Sequence, residues 1–72
     1  MFNATITCGL ERPVHLSGEV VPYDLQVLRE HILARASRAP RVEVKVKAAC
    51  RQAFAKAFRD LAGRGIDLII DS

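Results

Sequence analysis

The segment "RVEVKVK", Arg41 to Lys47, sets a valine at every second position and a charge between each pair. Successive side chains on a strand point to opposite faces, so this segment has one face for a core and one for water. Three further stretches share the habit. "FNATITC" turns Phe2, Ala4, Ile6 and Cys8 one way and Asn3, Thr5 and Thr7 the other. "VHLSGEV" alternates Val14, Leu16 and Val20 with His15, Ser17 and Glu19, and "IDLIID" turns Ile66, Leu68 and Ile70 inward. The short "GLERP" between the first two, bracketed by Gly9 and Pro13, predicts an antiparallel hairpin.

Two intervening stretches change period. From Pro22 to Ala39, Leu25, Leu28, Ile32, Ala36 and Ala39 fall on one side of a helix, with Asp24 as its N-cap or in its first turn and Pro40 as its stop. From Ala48 to Ala62, Cys50, Ala53, Phe54, Ala57, Phe58 and Leu61 share a face, and Gly63 and Gly65 supply the end. The order is ββαβαβ. Four strands with one apolar face each require both helices on that same face. The expected fold is an α/β two-layer sandwich: a four-stranded mixed sheet, strand order 1-2-3-4, with both helices on one face. Residues 1–72 make one small domain, since so short a chain buries only about 60% of its unfolded surface.

Half of the residues are hydrophobic and 26% charged, which suits a globular core and argues against disorder. Net charge is +3, which permits a phosphate or acidic partner without demanding one. The opening Met-Phe-Asn-Ala lacks the pattern of a signal peptide, and no apolar run approaches the ~18 residues of a membrane span. A cytoplasmic protein with two reduced thiols and no membrane contact is expected.

The open sheet face would carry Asn3, Thr5, Thr7, His15, Ser17, Glu19, Glu43, Lys45, Lys47, Asp67, Ile69 and Asp71. It has no aromatic platform and more acids than lysines, so it does not suit single-stranded RNA. Opposite charges pairing across strands in solvent are the simpler use of it. The topology also gathers Arg12, Arg35, Arg38, Arg41 and Arg64 at one pole, opposed locally only by Glu11. Cations at helix C-termini are favoured by the macrodipole, and guanidinium forks also fit phosphates and carboxylates. On the first helix, Tyr23, Val27 and Ala34, flanked by His31, form a minor apolar strip away from the core.

No constellation points to catalysis. Cys8, His15, His31 and Cys50 are the soft metal ligands and no pair has ligand spacing, so no metal or other cofactor is expected. Cys8 and Cys50 fall on core faces, where a thiol is a small hydrophobe. "GLERP" and "GRG" lack the strand-loop-helix setting of a phosphate loop. The chain is not expected to be an enzyme.

The run "VHLSGEVVPYDLQVLREHILARASRAPRVEVKV…FAKAFRDLAGRGIDLII" resembles the STAS domains of bacterial anti-sigma-factor antagonists. His15 to Glu19, Leu25 to Leu33 and Leu61 to Leu68 carry the likeness. In that family an Asp-Ser-Ser/Thr-Gly motif before the second helix holds the regulatory phosphoacceptor serine. This chain has Ala48-Ala49-Cys50 there, so the resemblance implies the scaffold without the phosphorylation switch. The reading from sequence is a small non-enzymatic domain working by protein–protein contact or self-association, in a regulatory role. The rival reading is an anion or nucleic-acid binder using the arginine pole.

Overall fold

The alternating segments become a four-stranded sheet under two helices in the computed structural model, which describes residues 1–61, 63 and 65–71. Strand β1 spans Phe2–Thr7, β2 Val14–Gly18, β3 Val42–Ala48 and β4 Ile66–Asp71. Helix α1 spans Pro22–Ala36 and α2 Arg51–Ala57, with a 3-10 turn at Arg59–Leu61. The ββαβαβ order and the two-layer arrangement hold. The strand order does not.

Across the sheet the strands run β2-β1-β3-β4, not 1-2-3-4. β1 is antiparallel to both neighbours, with Ala4 between Leu16 and Val46, and β3 pairs parallel with β4. β2 and β3 therefore point the same way, and the connection through α1 carries the chain past β1. Burial explains the choice. Phe2, Ala4 and Ile6 of β1 and Val42, Val44, Val46 and Ala48 of β3 are all buried, whereas Val14 and Leu16 of β2 are only partly covered. Central positions bury both flanks of a strand, so the two strands with fully apolar faces take them.

Helix α1 stops three residues before the expected Ala39. The Ser37 hydroxyl donates to the Ala34 carbonyl at 2.8 Å and ends the turn. At its start Val21 is the N-cap and makes no side-chain cap, with Pro22 just inside the helix. Asp24, in the first turn, reaches back instead, and its Oδ2 accepts the Glu19 backbone N–H at 2.9 Å. Gly18 makes room for this: a Cβ there would lie 3.0 Å from that carboxylate oxygen.

Helix α2 is much shorter than the expected span from Ala48 to Ala62, of which Ala62 itself lies outside the described residues. Ala48 continues the two-residue alternation of β3 and is buried as its last member, so the helix begins only at Arg51. Cys50 and Ala53, expected on the core face, are exposed in consequence. The buried spacing of Phe54, Phe58 and Leu61 survives, and all three are fully enclosed. Phe54 meets Phe2 edge-on at 5.4 Å between ring centroids and stacks on Phe58 at 4.8 Å. Gly65 then turns the chain into β4 at φ +74°, where any Cβ would strike the Pro40 carbonyl. Its own carbonyl accepts the Val42 N–H at 2.9 Å.

Candidate functional site

The pole is assembled by three connections: the β1–β2 turn, the α1–β3 link and the approach to β4. Arg38 clamps Glu11 across the first two, with Nη2 at 2.7 Å from Oε1 and Nε at 3.4 Å from Oε2. Arg41 does the same to Asp67 of β4, donating from Nε at 2.9 Å and Nη2 at 2.7 Å to Oδ2. Arg35 donates to the His31 carbonyl of its own helix at 2.9 Å. Arg12 is exposed in the turn and has no partner among the described residues. Arg64 lies outside the described residues.

Glu11 is thus not the only acid at the pole. The parallel register sets Val42 beside Ile66 and Glu43 beside Asp67, which brings the Asp67 carboxylate within reach of Arg41. The Arg38 hydrogen bond holds the Glu11 carboxyl below its ordinary range, and the same bond raises Arg38. Arg41 is raised in turn by its hydrogen bond to Asp67. Cys8, as expected, is buried, and loss of hydration pushes its thiol upward. Beside the Arg41–Asp67 pair lies an open cleft of about 410 Å³, lined by Thr7, Gly9, Ala39, Pro40, Arg41, Glu43 and Asp67. Its cation already holds a carboxylate, and two of its walls are acidic.

On the open sheet face the expected polar residues are on the surface; Arg41 reaches Asp67 from just before β3 across to β4, and a second ion pair runs along β3. Lys45 lies 3.7 Å from Glu43, two residues away on the same strand. His15 Nδ1 and the Thr5 hydroxyl, cross-strand neighbours, are 3.1 Å apart. Among the described residues no group of three or more His, Cys, Asp and Glu side chains is placed to hold a metal ion. No described helix is long and apolar enough to cross a membrane.

The strip on α1 lies beside the unpaired edge of β2. Tyr23 is 78% exposed, Val27 and His31 are half-buried, and Ala34 is exposed. Tyr23 and Val27 join Phe2, Leu16, Ser17, Asp24 and Leu28 around a groove of about 260 Å³. A shallower hollow of about 210 Å³ continues along Val27, Glu30, His31 and Ala34. The strip was legible from the helical period, but its position over a free sheet edge was not, because that follows from the strand order.

Arg29 went unrecognised in the sequence. Its guanidinium donates to Asp60 Oδ2 at 2.6 Å and to the Ala57 carbonyl, and lies 5.2 Å from the centroid of the Phe58 ring. It ties α1 to the end of α2. The available signal was its place on the helix, four residues after Leu25 and three before Ile32, which puts a cation at the margin of the apolar stripe.

No protein-family model matches the chain, and no curated protein or solved structure matches it either.

Proposed function

We propose that the chain is a small, non-enzymatic, cytoplasmic domain that acts by binding protein, with its contact on the side formed by α1 and β2. The observation that carries this reading is the exposed Tyr23 ring beside an apolar groove that borders an unpaired sheet edge. Single exposed apolar residues are ordinary on any surface. Here Tyr23, Val27 and Leu16 are contiguous, and tyrosine supplies large contact area at small entropic cost, which is why it is enriched in interfaces. The resemblance to anti-sigma-factor antagonists points to the same mode of action, in a regulatory setting. It does so without a hydroxyl switch, because the residue capping α2 is Cys50.

The second reading, anion or nucleic-acid binding at the pole, draws on the gathering of Arg12, Arg35, Arg38 and Arg41 around connections far apart in sequence. It is weaker because Arg38 and Arg41 already hold carboxylates. A phosphate would have to displace Glu11 and Asp67 and would leave both acids nearby. Such binding would also fall steeply with added salt, which an apolar contact does not.

Val27→Glu tests the proposal. It places a charge in the groove at a half-buried site while leaving the buried cluster untouched. We expect the folded variant to lose self-association or partner binding in sedimentation and pull-down measurements. Unchanged association would remove the α1–β2 side from consideration.

A further inference from the structure

We infer that the partner this surface fits is a second copy of the chain, joined by antiparallel pairing of β2 with β2 about a two-fold axis at Leu16. This rests on the reading just given, that the α1–β2 side is the contact.

Among the described residues the sheet has two free edges, β2 and β4, each presenting unpaired backbone donors and acceptors. Two copies can extend the sheet with both helix layers on one side only about an axis perpendicular to it. Residues facing each other must then come from the same face, which limits each edge to every second register. For β2, centring on Leu16 uses all five residues of the strand. Leu16 meets its own copy, Val14 meets Gly18, and exposed His15 meets exposed Ser17. No like charges are opposed. Just beyond the strand, Pro13 faces Glu19 and Arg12 faces Val20, so no like charges meet there either. Centring on His15 would instead set Glu11 against Glu19, and centring on Ser17 would use only three residues of the strand.

The β4 edge behaves differently. Of its two longest registers, the one centred on Ile69 opposes Asp67 with Asp71 of the other copy, two like-charge pairs by symmetry, and the one centred on Leu68 sets each Asp67 carboxylate against the apolar Ile69. Its Asp67 is also held by Arg41. Charges of this kind protect an edge from pairing, and β2 has none on its strand.

The test is sedimentation equilibrium of the full chain with circular dichroism as the check of folding. Wild type is expected to dimerise with concentration. His15→Asp with Ser17→Asp sets carboxylates opposite each other twice and should weaken the dimer by about tenfold. His15→Lys with Ser17→Asp sets opposite charges together twice in this register, whereas centring on Ser17 would oppose the two new aspartates, and it should hold the dimer at least as tightly as wild type. Both variants change exposed residues only. A wild type that stays monomeric at millimolar concentration overturns the edge pairing, as does a dimer indifferent to both double variants. A dimer that Val27→Glu breaks while the double variants do not would overturn the edge pairing and keep the α1 contact. A dimer that none of the three disturbs would overturn both.

Discussion

The two helices divide the work of the domain unequally, and against their lengths. α1 has fifteen residues, of which only Leu28 and Ile32 are fully buried. α2 has seven, and with the 3-10 turn after it encloses Phe54, Phe58 and Leu61 completely. The short helix is an anchor set by three side chains at spacings of four and three. The long one is held at one stripe and leaves Tyr23, Val27 and Ala34 outward. A helix that the core needs little of is where a small domain has surface to offer a partner.

The sharpest way to break this comparison is to truncate the anchor. Phe54→Ala or Phe58→Ala should cost about 3–5 kcal/mol. In a domain this size each kcal/mol shifts the melting point by about 4–8 °C, so drops of more than about 12 °C are expected. Tyr23→Ala on α1 should melt within a few degrees of wild type. Equal shifts for Phe54→Ala and Tyr23→Ala would show that the division of labour is misassigned.

A smaller effect tests the tie between the helices. Arg29→Met keeps an unbranched apolar stem but removes the guanidinium from Phe58 and the donors to Asp60 and the Ala57 carbonyl. A loss of about 1–2 kcal/mol is expected in denaturant unfolding, discounted because Asp60 is more than half exposed. No loss would mean α2 is fixed by its aromatic contacts alone.

The smallest effect is a pH dependence at the pole. Glu11 has its folded pKa lowered by Arg38, so its contribution is present above the ordinary glutamate range and lost as pH falls through the lowered value. Melting curves of wild type and Glu11→Gln should differ slightly near neutral pH and converge in acid. A gap that persists or widens in acid would contradict the pairing with Arg38.

What the sequence made legible is what local pattern decides. The valines of β3 and the alternation of β1 assign faces without knowledge of any neighbour, and so they assign the two-layer fold. Strand order is a comparison between distant segments: β1 displaced β2 from the centre because its apolar face could be covered completely. The length of α2 was misjudged because two periods compete at Ala48, and the strand alternation won it for β3. That single outcome moved Cys50 from the core to the surface. The pole was visible as five arginines, but its neutralisation by Asp67 depends on the parallel register of β3 and β4. The free β2 edge under Tyr23 depends likewise on strand order, so the proposed contact emerged only with the fold.

The central claim, that the chain associates through the α1–β2 side, is tested most directly by amide hydrogen exchange of the unaltered chain over a concentration series. The account predicts protection that grows with concentration across Val14–Gly18 and at Tyr23–Val27. It predicts no such growth at Arg38–Val42 or along β4. Exchange independent of concentration everywhere, or new protection confined to β4 or to the arginine pole, would contradict it.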